Sequence, residues 1–418
     1  MTGVEPTSIT GDIVIQGDRI IAVGPEIAAA GNDRIIDASR CIAMPGLVNA
    51  HTHLAMTLLR NCADDLDLFT WLNEHIWPRE ALLTPDDIYA GSLLGLAELI
   101  RGGVTTYADM YFHQDETVRA TLESGISANI GATIIGDEEE TRKRLPVLKD
   151  LHSRWNQAEN GRIRIDVAPH AIYTCSAGSL TLARDLAASL GTMLHIHLSE
   201  SMKEHQDCMQ AHGKTPAEYL YDLGIFEVPV YAAHCVHLSR EDVSLCAKLG
   251  VRVVHNPTSN LKLANGIAPV QRFLDAGIPV ALGTDGASSN NNLNVFEEMH
   301  IASVVQKAST GDPKSLNAYD TLRAATVGGA KALGREHEIG MLKPGMMADL
   351  ILISTDAPHF VPLNNPVSAV VYSAQASDVA TVIARGKMIM RNREILTLDM
   401  EEVYARAGSS AEKLRLVR

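Results

Sequence analysis

Six cysteines, Cys41, Cys62, Cys175, Cys208, Cys235 and Cys246, are scattered along the 418 residues without one CxxC spacing. That absence argues against a thiolate zinc site or a disulfide framework and fits a reducing compartment. There is no run of about 18 apolar residues to cross a bilayer, and no N-terminal basic region leading into an apolar core. A cytoplasmic protein with no membrane partner is the expectation. Positive charge is also in short supply: 36 Lys and Arg against 50 Asp and Glu leave a formal net charge of -14. Such a chain repels a phosphate backbone, and no basic stripe offsets it, so nucleic acid is excluded as a partner. Internal repeats, low-complexity tracts and long linkers are missing as well.

What remains is a globular composition, 46% hydrophobic and 21% charged, on a chain too long for one ordinary core. The start of the chain reads as a β-meander: Asp12 to Gln16, a Gly17-Asp18 turn, then Arg19 to Val23. From Met44-Pro45 to about residue 345, apolar strand candidates at 42–49, 104–110, 128–135, 163–169, 192–198, 229–234, 252–255 and 279–283 alternate with helix-like segments. Asp86 to Arg101 and Ser239 to Leu249 are examples. Eight βα units close a TIM barrel. The doubly wound alternative lacks a GxGxxG in its first βα turn. Past residue 345 come the hydrophobic runs 348–353 and Val382 to Met390, then Glu394-Ile395-Leu396 after an Arg391-Asn392 turn; Met400 to Leu416 has helical composition. The fold expected is therefore a (β/α)8 TIM barrel over 45–345. Residues 1–44 and 346–418 supply a small β-sandwich domain from both chain ends, with a terminal helix.

In such a barrel the carboxyl ends of the strands form the active face. There the sequence places His51 and His53, His170, His195 and His197, His234, His255 and Asp285, so six of the eight strands end in His or Asp. Residues i and i+2 of a strand share a face, which brings His51 and His53 together. The joint placement points to a mononuclear metal site of three histidines and one carboxylate, with a position left for water. His195 and His197 share a face too, so spacing alone does not choose between them. Zinc lowers the pKa of bound water from 15.7 to about 7, roughly 12 kcal/mol in favour of hydroxide at neutral pH. Glu200, three residues past His197, could exchange a proton with a substrate nitrogen. His234 could donate to the attacking oxygen, and Asp285 could take the water proton.

The segments PGLVNAHTH, HIHLSE, AAHC, HNPTSNLKLANGIAPV, LGTDG and DMYFH, with ADLILI and VIARGK near the end, resemble the amidohydrolase superfamily. More narrowly they are similar to the 5'-methylthioadenosine/S-adenosylhomocysteine deaminases, over nearly the whole chain. The resemblance implies hydrolytic attack on carbon 6 of adenine, with release of ammonia, at one divalent ion per subunit, expected to be Zn2+. It implies His51, His53, His197 and Asp285 as metal ligands, Glu200 as the proton-carrying acid, and His234 as the residue that polarises the water. It further implies Glu80 on the ribose hydroxyls, His170 on the purine, Arg144 (or Arg142, if the alignment slips) on the substrate, and Trp71 as a wall for the 5' group. The runner-up is a related enzyme acting on a free base or triazine, such as a guanine deaminase or a chlorohydrolase; Glu80 favours a nucleoside, because a free base has no diol. A barrel that has lost its chemistry would be expected to lack some of the five ligand and acid positions, all of which are intact here. Exposed barrel helices leave room for a homo-oligomer.

Two departures accompany the resemblance. Thr133 stands where some relatives carry a substrate-binding arginine, which implies a weaker hold on a homocysteine carboxylate and a preference for smaller 5' groups. Relatives also carry a further strand before the segment equivalent to Thr10 to Gly24, so either the start codon is misassigned or the small domain lacks an edge strand. A chain extended upstream is expected to melt higher than this one; equal melting temperatures would count against the missing strand.

Overall fold

The computed structural model describes residues 8–31 and 33–415. The apolar run at 42–49, expected as one strand, is two strands that belong to different sheets. β3 (Cys41–Pro45) pairs with the chain's last third, and β4 (Leu47–Thr52) opens the barrel. The break falls at Gly46, where a Cβ would stand 2.1 Å from the Thr105 hydroxyl oxygen. No larger residue permits that passage between sheets.

β4 is followed round the barrel by β5 (Val104–Tyr111), β6 (Ser127–Ile134), β7 (Ile163–Pro169), β8 (Leu194–Leu198), β9 (Val230–His234), β10 (Arg252–His255) and β11 (Val280–Leu282), all parallel. Their residues are almost all buried, as expected of strands covered on both faces. β11 returns to β4 through few bonds, and these lie beside the site: Asp285 N–H donates to the His51 carbonyl at 3.0 Å, and Thr284 N–H to Asn49 Oδ1 at 3.0 Å. At Gly283 a Cβ would sit 2.9 Å from the His51 nitrogen, so the approach of strand eight to strand one depends on a missing side chain. Helices cover the outside. The one over Pro85–Arg101 starts at a Thr84/Asp87 capping box, and Arg240–Leu249 starts at a Ser239/Asp242 box.

β12 (Leu350–Ser354), β13 (Val379–Ala384), β14 (Lys387–Arg391) and β15 (Glu394–Ile395) form an antiparallel sheet with β3 at its edge. The meander, β1 (Asp12–Gln16) and β2 (Arg19–Gly24), is a separate two-stranded sheet. It stacks on the larger sheet, with Ile20 packed among Leu350, Leu352 and Ile383. A sandwich results, but β3 and not the meander supplies the early strand of the tail sheet. The terminal helix spans Met400–Arg415. Any strand before Thr10 would fall largely on residues 1–7, outside the described residues.

Beneath the barrel the Arg335 side chain is 1% exposed and donates to Asn129 Oδ1, the Gly161 carbonyl, the Ala128 carbonyl and the Arg162 carbonyl at 2.7–3.1 Å. One guanidinium thus ties the starts of β6 and β7 to the segment after the last barrel helix. Arg335→Met leaves those acceptors unpaired in a dry place and is expected to lower stability by about 3 kcal/mol or more. Chemical denaturation checks this, and an unchanged midpoint would show the guanidinium to be dispensable.

Candidate metal centre and active site

At the carboxyl end of β4 the Asp109 carboxylate accepts from the Leu54 N–H at 2.7 Å, turning the chain just past His53. His51 and His53 then face one centre with β8 and the loop after β11. His51 Nε2 and His53 Nε2 lie 3.3 and 3.2 Å from Asp285 Oδ1, and His53 Nε2 lies 3.3 Å from His197 Nε2. Each ring is oriented from behind. His53 Nδ1 donates to the Met110 carbonyl at 2.6 Å, and His197 Nδ1 to the His170 carbonyl at 2.8 Å. His51 Nδ1 meets His195 Nε2 at 2.8 Å, so His195 supports His51 from behind. Asp285 Oδ2 accepts from the Ser259 and Ser289 hydroxyls at 2.6 and 2.7 Å, which leaves Oδ1 for the centre.

These residues fit a divalent ion. With its Nδ1 proton committed to a carbonyl, His197 presents a lone pair to the centre, His53 does the same once a cation takes the place of its Nε2 proton, and buried His51 Nε2 has no hydrogen-bond partner. Tetrahedral zinc with ligand bonds of about 2.0–2.1 Å separates its donor atoms by about 3.3 Å, which is the spacing seen. Burial pushes the His51 pKa down to about 4 and that of His197 well below its usual value, keeping these imidazoles in the neutral form that binds metal. At His53 burial acts in the same direction, but the Asp285 hydrogen bond and charge prevail and raise it to about 9. A fifth donor stands close: the donor atoms of His51, His197, His234 and Asp285 all lie within 4.8 Å of one another. His234 differs from the rest in its second neighbour, since its Nε2 lies 3.9 Å from Glu200 Oε2. Its Nδ1 donates to Asn260 Oδ1 at 2.8 Å.

Glu200 is 3% exposed, and burial raises its pKa, with the nearby His234 charge acting against the rise. An acid in that condition holds a proton more readily than a surface glutamate does. The pocket in front of the histidines is walled by Trp71, Leu72, Trp77, Phe112, Tyr173 and Leu263. Glu80 reaches it from the short helix Trp77–Glu80, with Oε1 accepting from the Tyr111 hydroxyl at 2.7 Å. His170 lines it with Nδ1 held 2.9 Å from the Thr174 hydroxyl, and burial moves its pKa down to about 3. Thr133 lines it too, its hydroxyl donating to the Tyr111 carbonyl. Arg144 is half-buried in the helix Glu138–Trp155 and is not among the lining residues; Arg142 is exposed and paired with Glu138. Sequence reasoning missed the supporting residues Asp109, Tyr111, Asn260, Ser259, Ser289, Glu204 and Asn265. Three of them lie inside HNPTSNLKLANG, whose run of polar residues after a strand was the available signal.

A parallel barrel with imidazoles and a carboxylate gathered at its strand ends, beside a buried acid, defines a metal-dependent hydrolase. The chain belongs to the amidohydrolase family, whose model matches residues 42–389, and within it to the family of the 5-methylthioadenosine/S-adenosylhomocysteine deaminases. It is 48% identical to the deaminase of that name from Thermoanaerobacter pseudethanolicus, over 98% of this chain and 96% of the relative. The corresponding protein of Acetivibrio thermocellus is 51% identical over 91% of this chain and 89% of its own length. Among solved structures, an adenosine deaminase from Xanthomonas campestris with bound zinc superposes with a TM-score of 0.92 at 35% identity, covering 97% of this chain and 94% of that one. The atrazine chlorohydrolase TrzN from Arthrobacter aurescens TC1, complexed with zinc, gives 0.88 at 26% identity, covering 96% and 94%. The site here suits one Zn2+ per chain.

His53 and His234 can be told apart by metal content. His53→Ala and His197→Ala are expected to lose most of the metal, whereas His234→Asn retains close to one ion per chain by elemental analysis. The reverse order for His53 and His234 would exchange their roles.

Proposed function

We propose that the chain hydrolyses the adenine of 5'-substituted adenosines, S-adenosylhomocysteine, 5'-methylthioadenosine and smaller 5' variants among them, to hypoxanthine with release of ammonia. The observation that carries this reading is the buried Glu200 carboxyl beside a centre of four metal-ligand donors, in an apolar pocket that also holds a second acid, Glu80, suited to a sugar diol. Relatives at 46–51% identity carrying that deaminase name support it. The proposed ligands are His51, His53, His197 and Asp285. A divalent ion bound there supplies a nucleophilic water at neutral pH and a Lewis acid.

The chain's own residues do the rest. Glu200 delivers its proton to a purine ring nitrogen and takes one back from the carbon 6 hydroxyl as the carbonyl forms, and the first proton of the water passes by way of Asp285 to the amino group that leaves as ammonia. Asp285 receives the proton of the attacking water. His234, its Nδ1 tied to Asn260, turns Nε2 to that water and steadies it. Glu80 keeps Oε2 for the ribose hydroxyls while Tyr111 holds Oε1. His170 and Trp71 flank the base and the 5' group, and the apolar walls keep competing water out. Thr133 and the lining as a whole favour small uncharged 5' groups. Arg144, on the helix Glu138–Trp155, stands outside the pocket lining. No helix among the described residues is long and apolar enough to cross a membrane. With all six cysteines free, we place the protein in the cytoplasm.

Ammonia release and the adenine-to-hypoxanthine absorbance change are to be followed on S-adenosylhomocysteine, methylthioadenosine, 5'-deoxyadenosine, adenosine, adenine, guanine and a chlorotriazine. Turnover of the 5'-substituted adenosines is the expected result; silence on all nucleosides with activity on guanine or the triazine would overturn it. Glu200→Gln is expected to keep its metal and lose about 100-fold or more in kcat. Near wild-type turnover in that variant would remove Glu200 from the mechanism.

A further inference from the structure

Glu200 is held at two points by residues that are themselves neither proposed metal ligands nor part of the pocket lining. Behind it stands Glu204, 1% exposed. The two oxygens of Glu204 accept from the backbone: Oε1 from the Ser199 N–H at 3.2 Å and Oε2 from the Glu200 N–H at 2.7 Å. Ser199 has φ +49°, a left-handed conformation that a serine adopts at a cost. Glu204 sits in the first turn of the helix Met202–His212, where its own N–H is capped by the Ser201 hydroxyl at 3.1 Å. A rigid helix thus carries a carboxylate back onto the peptide from which the Glu200 side chain leaves.

The other hold is on the carboxyl end. Asn265 Nδ2 donates to Glu200 Oε1 at 3.0 Å. Asn265 is itself fixed: its N–H donates to the Asn260 carbonyl at 2.8 Å, and its carbonyl accepts from His237 Nε2 at 2.7 Å. Its neighbours Ala264 and Gly266 have φ +54° and +117°, so the loop turns sharply to aim this one side chain. The short helix Pro257–Lys262 just before it supplies Ser259 to Asp285 and Asn260 to His234.

With Oε1 occupied by Asn265, the oxygen left to the reaction centre is Oε2, the one 3.9 Å from His234 Nε2. We infer that Glu204 and Asn265 are positioning residues for the proton transfer, and that Oε2 of Glu200 is the oxygen that carries the proton. This rests on the reading of Glu200 as the proton carrier. Glu204 sets where the side chain starts and Asn265 sets which way its carboxyl faces. Neither touches the substrate, so their loss acts on kcat through Glu200 and spares binding.

The test is a double-mutant cycle on the metal-loaded full chain, with methylthioadenosine or whichever ring amine the wild type turns over best. Asn265→Asp, which keeps shape and replaces the donor by an acceptor, Asn265→Ala, and Glu204→Gln are each made in the wild type and in Glu200→Gln. In the wild-type background each is expected to lower kcat about tenfold or more, with KM within about threefold and one metal per chain retained. In Glu200→Gln the same changes are expected to cost less than about twofold, because the group they orient no longer carries a proton. An unchanged kcat in the wild-type background, or equal losses in both backgrounds, would overturn the proposal. Joint loss of kcat, metal and folding in all three variants would reduce the two residues to structural support and overturn it as well. A wild type active only on a free base or triazine would refute the nucleoside reading while the cycle still decides the role of the two residues.

Discussion

Everything in this molecule depends on holding several lone pairs and one carboxylate in contact at a place nearly closed to water. His51 and His53 each bring a donor nitrogen to 3.2–3.3 Å from Asp285 Oδ1, and His53 and His197 bring theirs to 3.3 Å from each other. Left alone, such a group would relax apart or take up protons. A cation of charge two resolves the conflict, and the barrel makes the arrangement rigid enough to wait for it. The donors come from the ends of three parallel strands or the loops that follow, His51 and His53 from β4, His197 from β8 and Asp285 after β11, and each ring has its second nitrogen spoken for. At two close approaches, Gly46 against Thr105 and Gly283 against His51, a Cβ would push the neighbouring segments apart.

Around this centre the backbone departs from ordinary geometry. Ser199, His234 and Asp285 all have positive φ, +49°, +70° and +63°. Strain at three neighbouring functional positions persists because the surroundings over-determine it. Ser199 is pinned by Glu204, His234 by Asn260, and Asp285 by Ser259, Ser289 and the bond from its N–H to the His51 carbonyl. The geometry of the site is therefore a property of a polar network around a few side chains, with the segment 256–266, a short helix and the turn after it, as its common frame. Burial raises the proton affinity of Glu200, while hydrogen bonds decide where its carboxyl faces.

The small sandwich shows how the chain ends serve the barrel. β3 leads directly through Gly46 into β4, so the sheet that packs the tail also anchors the strand that carries His51. Periodicity revealed that β strands existed at both ends, yet it read 42–49 as one strand because apolar residues continue without a break. Only the sheet partners on either side of Gly46 divide that run. The meander was legible from its alternation and turn, whereas its role as a stacked hairpin was not, since pattern says which face is apolar and not what covers it.

Sequence by itself determined the eight-unit alternation and the His and Asp residues at strand ends, because side-chain period and strand polarity are local properties that tertiary context does not reverse. It also marked Glu200 as the acid beside the proposed ligands. Only the tertiary structure decided which ring nitrogens face inward, that His195 stands behind His51, and that His234 pairs with Glu200 across the centre. Asn265, which orients the Glu200 carboxyl, lay beyond sequence reasoning for the same reason. It reads as a loop asparagine until folding brings the loop after β10 against the end of β8, and a hydrogen bond between residues 65 apart in the chain leaves no mark on local pattern. Glu204 bonds only four and five residues back, but it is the left-handed turn at Ser199 that brings those two N–H groups to it.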